Sequence, residues 1–326
     1  MPVVKISPHL SSPPWDVALE EFLLHKQAEG REKRTLDDYR YHLTKFLSAH
    51  GGAWPDYHRL KLEVRKHFAG LAERSATTYN LRREYLLAFF NWCVAEGYLP
   101  ANPAQGLPKR RDEERPRHVD GEAIEKLLAV IDRNTYTGLR DYCLLLFQLD
   151  TGIRPGEALA LPPGCFDLRL LQVHIPAGIA KTHQARIVVI SPQVGKALKK
   201  LLAVRPKEWG EDIPLFASQD GSRMRERSWA HRLRKYADKA GVKVTPYMLR
   251  HTAAIMSLRN GASPFYVQRQ LGHTTLARTR RYAYLVEGDL HREHATASPV
   301  AGLIPHRQRA RRKLKEKSRR KAGREE

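Results

Sequence analysis

Residues 102–120, NPAQGLPKRRDEERPRHVD, are the stretch that most constrains what this chain can fold into. They hold three prolines, a glycine and dense mixed charge. No apolar residue recurs at a helical or strand period, and proline removes backbone donors that either ladder needs. Such a segment reads as an extended linker. A domain boundary is expected there, with one core on each side, although a single domain is compatible with the length.

On the N-terminal side, WDVALEEFLLHKQAEG follows Pro13 and Pro14 and reads as a helix closed by Gly30. Thr35 is placed to cap a second helix, in which Leu36, Tyr39, Leu43, Phe46 and Leu47 recur on one face until Gly51-Gly52. Further helical patterns cover about 60–72 and 75–96. Residues 1–108 are thus expected to form a bundle of four helices. Its Arg82 and Arg83, taken singly, fit a solvated helix face best, while the set of Lys and Arg on the outer helix faces fits a DNA-facing surface about as well.

Beyond the linker, Asp120 can cap GEAIEKLLAVID, and the strongly apolar LRDYCLLLFQLD follows. Two β-like stretches, LLQVHIP and ARIVVI, flank the polar turn AGIAKTHQ. Helical patterns return at about 192–204, 225–240, 246–260 and 263–271, and again around Tyr282. Residues 109–298 are expected to form a mainly α domain with a small β-sheet. Residues 299–326 read as a disordered basic tail, since PHRQRARRKLKEKSRRKAGREE within it has almost no apolar residues and cannot form a core of its own.

With 57 Lys and Arg against 35 Asp and Glu, the formal charge is +22. A field of that sign draws phosphate polyanions, so nucleic acid leads the expected partners; a ribosome-associated protein or an anionic membrane surface would carry the same charge, and double-stranded DNA is singled out only by the resemblance described below. No apolar run approaches the roughly 18 residues of a membrane span. The N-terminus lacks a signal-peptide pattern, and the three cysteines form no metal-ligand spacing. The expected location is cytoplasmic and nucleoid-associated.

Four fragments carry side chains suited to chemistry. In TGIRPGEALAL, Pro155 suits a helix start and sets Arg154 at a helix N-terminus, where an anion is favoured; the plain alternative is an ion pair with Glu157. Lys181 lies in the turn between the β-like stretches. In TPYMLRHTAA, Tyr247, Arg250 and His251 fall at i, i+3 and i+4 on one helix face. In LGHTTLARTRRYAYL, Gly272 ends a helix, His273 occupies the joint and Tyr282 follows nine residues later.

Together these fragments resemble the tyrosine recombinase, or phage integrase, family. The matching boxes are TGIRPGEAL, the β-turn lysine, LRHTAA, and LGH followed by the tyrosine of RRYAY, in the family's order. The resemblance covers about 115–290. It implies a catalytic domain of the DNA breaking-rejoining type, preceded by a SAM-like core-binding bundle. It further implies phosphate-binding arginines at Arg154 and Arg250, a general acid at Lys181, a supporting histidine at His273 and a nucleophile at Tyr282. His251 and Glu157 would stand behind these. Tyr284 is the rival nucleophile. Members usually carry histidine where this chain has Tyr247, so Tyr247 is expected in the site as a hydrogen-bond donor, with any base function passing to His273 or Lys181.

The chemistry is consistent with those roles. A phenol with a pKa near 10 needs a base or a cationic surrounding before it attacks phosphorus. Two guanidinium groups supply planar donors for the non-bridging oxygens, and a lysine can protonate the leaving 5'-oxygen. No cofactor and no metal ion is expected. The implied assembly is a homo-tetramer on synapsed sites, with accessory DNA-bending proteins as further candidate partners. The alternatives are a type IB topoisomerase-like enzyme and a catalytically decayed DNA-binding protein.

Overall fold

The computed structural model describes residues 12–111, 117–283, 294 and 298–300. The chain divides into two compact units, residues 1–114 and 115–326. The basic stretch from residue 301 onward and Tyr284 lie outside the described residues.

The first unit contains α1 (Trp15–Ala28), α2 (Lys33–His50), α3 (Tyr57–Ala69) and α4 (Ala76–Ala95). Their buried faces follow the apolar periodicity: Ala18, Leu19 and Phe22 on α1, Leu43, Phe46 and Leu47 on α2, Leu60, Val64 and Phe68 on α3, Leu86, Phe89 and Phe90 on α4. Phe22 meets Phe89 and Trp92 edge-on at 5.4 and 5.7 Å, the arrangement that ring quadrupoles favour. Asp56 caps α3 by accepting from the amides of His58 and Arg59, and Ser75 caps α4.

Thr35 does not cap α2. The helix starts earlier, at Lys33, after an extended Glu32, so Thr35 sits within the first turn. Short-range pattern locates a helix better than its first residue, because the terminal turn can be satisfied from several starting points. Arg110, from the start of the charged segment, stays with this unit: it donates to the carbonyls of Leu71 and Ala72 and lies over the Tyr79 ring.

The second unit runs α5 (Gly121–Ala129), α6 (Tyr136–Thr151), the single turn α7 (Pro155–Ala158), β1 (Phe166–Asp167), β2 (Gln172–Ile175), β3 (Arg186–Val189), α8 (Pro192–Ala203), α9 (Glu226–Ala240), α10 (Pro246–Arg259), α11 (Pro264–Leu271) and α12 (Leu276–Ala283). It is mainly helical, with one antiparallel sheet in the order β1-β2-β3. Val173 pairs with Val188, and both are fully buried. The two-residue β1 is too short for its alternation to be visible in sequence.

Helix α6 is the axis of this unit. Cys143, Leu144, Leu145 and Phe147 are all completely buried, which is why its sequence is apolar nearly all round. It is tied to α9 by a buried polar knot. Asp141, fully buried, accepts from Arg140 at 2.8 Å, from Arg232 and from Tyr236 at 2.9 Å.

Gly152 ends α6 with φ +63, a conformation open to glycine at little cost. Close packing adds a second requirement. A Cβ on Gly152 would stand 2.4 Å from Leu271 Cδ2, so only glycine lets the end of α6 touch the end of α11.

Candidate active site

The site forms where α11 stops. Gly272 takes φ +65 and ends the helix, leaving carbonyls with no intrahelical donor. Two arginines supply those donors. Arg250, on α10, donates from Nη2 to Leu271 O at 3.0 Å and from Nη1 to Gly152 O at 2.6 Å. Arg154, extended at the N-cap of α7, donates from Nη2 to Gly272 O at 3.1 Å and from Nη1 to Glu157 Oε1 at 3.0 Å. The α6 end, the α7 start and the α11 end are thereby clamped together through guanidinium groups. Each described arginine uses two of its five N–H donors in this clamp.

Both guanidinium groups are largely withdrawn from water, Arg250 at 4% exposure and Arg154 at 9%. Burial, aided by the Arg154 charge, pulls Arg250 down to about 10. It therefore remains charged at neutral pH. Two like charges are stable here because the site holds a buried carboxylate. Glu157 accepts from Arg154, from the backbone amide of Lys181 at 3.0 Å and from Arg186 Nη2 at 2.6 Å. Burial acts to raise the Glu157 carboxyl, but the Arg186 hydrogen bond and charge outweigh it and hold the group below the ordinary carboxylate range.

The ion pair between Arg154 and Glu157 and an anion-binding role for Arg154 are thus compatible. The carboxylate occupies one corner of the fork and orients the rest.

Tyr282, on α12, is 5% exposed and packs with Ala254, Ile255, Val267 and Leu271. Its hydroxyl lies 2.8 Å from His251 Nδ1. Its ring stacks on His273, with centroids 6.2 Å apart and planes 12° from parallel. His273 is in turn held by Thr279, 2.9 Å from Nδ1. The four residues Arg154, Arg250, His273 and Tyr282 therefore gather on the α11–α12 joint, although 118 residues separate Arg154 from the carbonyl it binds at Gly272.

Lys181 reaches the site by its backbone, through Glu157, while its side chain is exposed. The β2–β3 hairpin that carries it is fastened to α11 by Gln270, whose side chain both accepts from Val189 N and donates to Val189 O, at 3.3 and 2.7 Å. This side chain completes the ladder of an otherwise open strand edge. Tyr247 is half exposed at the start of α10 and makes no hydrogen bond to a described residue. Its spacing from Arg250 places it on the same face, yet it is exposed while Pro246 and Leu249 beside it are buried.

Two contributors, Arg186 and Thr279, are not evident from the sequence, and a third, His251, stands closer to the phenol than the resemblance implies. Arg186 belongs to the β-like stretch ARIVVI, yet it binds Glu157 and presses on the joint: a Cβ on Gly272 would lie 2.7 Å from Arg186 Nε. Thr279 is completely buried behind His273. His251, expected behind the other residues, contacts the phenol directly. Arginine at the start of a strand and threonine inside a basic helix carry no local signal; only the close approach of β3, α11 and α12 gives them work.

An open cleft of ≈ 670 Å³ beside the joint is lined by Arg186, Gln268, Gly272, His273 and Thr274 among others. A second cleft, ≈ 580 Å³, runs along the start of α9 and is lined by Arg140, Arg225, Arg227, His231 and Arg232 among others. Both have the charge to accept phosphates. Among the described residues, no group of three or more His, Cys, Asp or Glu is placed to hold a metal ion, and no helix is long and apolar enough to cross a membrane.

Two clamped guanidinium groups beside a buried phenol on imidazole define a site able to bind a tetrahedral anion and present a nucleophile to it. Residues 117–287, more than half of the chain, match the model of the phage integrase family, and the chain belongs to that family. Among relatives, the tyrosine recombinase XerC of Haemophilus influenzae (strain ATCC 51907 / DSM 11121 / KW20 / Rd) is 30% identical over 219 residues, which cover 66% of this chain and 72% of the relative. The tyrosine recombinase XerD of Ralstonia nicotianae is 29% identical over 281 residues, covering 83% and 90%. Among solved structures, the Tn1549 transposon integrase in complex with transposon right-end DNA superposes with a TM-score of 0.71, covering 84% of this chain and 98% of that one at 17% identity. The XerH site-specific recombinase bound to difH substrate, in its post-cleavage complex, gives 0.65 at 22% identity, covering 85% and 83%. These likenesses establish the fold.

Proposed function

We propose that this protein is a site-specific DNA recombinase, a DNA strand transferase that cuts and rejoins double-stranded DNA through a 3'-phosphotyrosyl intermediate. The observation that carries the reading is the gathering of Arg154, Arg250, His273 and Tyr282 at the end of α11. The names of the relatives and of the DNA-bound neighbours support it.

In this reading the scissile phosphate sits against the unspent donors of Arg154 and Arg250, which hold the charge of its non-bridging oxygens as the transition state forms. Tyr282 attacks phosphorus, the bond to the 5'-oxygen breaks, and Lys181 supplies the proton that this oxygen needs. His273 steadies the phenol by stacking. The exposed Tyr247 donates a hydrogen bond to the phosphate. The ester conserves the energy of the broken bond, so a 5'-hydroxyl can reverse the step with neither ATP nor metal. Residues 1–108 would act as a core-binding domain and 109–298 as the catalytic one. A tetramer would join two DNA sites in the cytoplasm, on the nucleoid, with DNA-bending proteins assisting.

The test uses a nicked duplex bearing the sequence that the protein itself selects from a randomised pool. Wild type should accumulate a covalent adduct on it. Tyr282→Phe should bind equally and form none; an adduct that persists in this variant overturns the assignment.

A further inference from the structure

We infer that His251 is the general base of this site, taking the Tyr282 proton as the phenol attacks; the inference rests on the reading above. The family's usual histidine is replaced by Tyr247, and a phenol is a far weaker proton acceptor than an imidazole. The exposed Tyr247 makes no hydrogen bond to a described residue. The imidazole that meets the nucleophile is another one: His251 Nδ1 lies 2.8 Å from the Tyr282 oxygen, within the range required of a proton acceptor.

Two further observations favour this assignment over His273. The His273 ring lies parallel to the Tyr282 ring, at an interplanar angle of 12°, so it meets the phenol through its face. Its Nδ1 is engaged with Thr279 at 2.9 Å. The His251 ring is inclined at 44° to the phenol and meets it through a nitrogen. Both partners stand on packed helices, His251 on α10 and Tyr282 on α12, so the pair is preformed.

The proton balance is complete. Tyr282 O–H donates to Nδ1 of the Nε2-protonated ring. As the Tyr282 O–P bond forms and the P–O5' bond breaks, His251 becomes imidazolium and Lys181 becomes a neutral amine. In rejoining, Lys181 recovers a proton from the incoming 5'-hydroxyl and His251 returns one to the departing Tyr282. Among the described residues, the titratable and charged groups that face the pair include the His273 ring and the Arg250 guanidinium, with Arg154 and Glu157 beyond. The two positive guanidinium groups favour loss of the phenol proton.

The experiment follows single-turnover covalent capture on the nicked, self-selected duplex between pH 5.5 and 9.5. Wild type should show a rising limb in the imidazole range. His251→Gln preserves size and an acceptor atom but cannot carry the proton. It should lower capture at pH 7 by about 10²-fold and move the limb toward the phenol range. His251→Ala should regain rate in added imidazole. Tyr247→Phe should slow capture without moving the limb.

A wild-type profile flat from pH 5.5 to 8 overturns the assignment whatever the variants do. So does a His251→Gln profile parallel to wild type, or His251→Ala with unchanged binding and no imidazole rescue. Wild type that forms no adduct at any pH removes the recombinase reading itself, a result distinct from each of these.

Discussion

Replacing Glu157 with glutamine tests whether the clamp at the α11 end is held by one buried negative charge. The carboxylate is 2% exposed and binds through both oxygens, receiving Arg154 Nη1 and the Lys181 amide at 3.0 Å on one and Arg186 Nη2 at 2.6 Å on the other. A glutamine keeps only one acceptor. Whichever way the amide turns, its NH2 faces a donor, and one arginine loses its partner inside the protein. Breaking a buried ion pair costs about 3–5 kcal/mol, and the retained carbonyl places this variant near the lower end, about 3 kcal/mol. For a unit of this size that corresponds to a fall in Tm of roughly 6–12 °C.

Calorimetry of the full chain should show this shift in the transition of residues 115–326, with that of the first unit unmoved. The pH dependence has a definite sign. Glu157 is held below the ordinary carboxylate range, so the folded form binds fewer protons than the unfolded one as pH falls. Its stabilisation is fully present above the ordinary carboxylate pKa and is lost as pH drops through the lowered one. The gap between wild type and Glu157→Gln should be constant from pH 6 to 8 and close in acid. A change below 2 °C at pH 7, or a gap that widens in acid, refutes the reasoning.

Gly152→Ala should destabilise the second unit by about 1–3 kcal/mol, from positive φ and the clash with Leu271, and should slow covalent capture by shifting the carbonyl that Arg250 binds; urea melts and capture rates check both. Asp141→Asn should cost about 3–5 kcal/mol, because Arg140 and Arg232 lose a fully buried counter-charge; chemical denaturation measures it. In the first unit, burial is the main cause that brings His67 down to about 4, with His50 and Arg82 adding to it. The neutral ring is thus the folded form. The unfolded chain takes up the proton first as pH falls below the ordinary imidazole value, so this unit should lose stability between about pH 6.5 and 4, and His67→Gln should flatten that loss in acid melts.

Much of the fold was legible along the chain. Apolar residues at helical spacing marked all four helices of the first unit and the main helices of the second, since burying one face leaves a periodic trace. The hairpin showed as two alternating stretches around Lys181. The candidate site was legible as four short fragments, and Pro155 at the start of α7 and Gly272 after α11 gave Arg154 and His273 their places at helix ends. No local pattern marks the contacts set by packing between elements: Arg186 on Glu157, Gln270 on the edge of β3, Thr279 behind His273.

The sequence by itself therefore determined which elements form and which residue types are available, because both depend on spacing within a few turns. The tertiary structure alone decided which imidazole meets the phenol. Tyr247, Arg250 and His251 share a helix face by spacing, yet α12 crosses α10 so that Tyr282 reaches His251 and leaves Tyr247 half exposed. A hydrogen bond spans about 3 Å. Which residue lies within that distance is set by how two helices pack, and no local pattern encodes it.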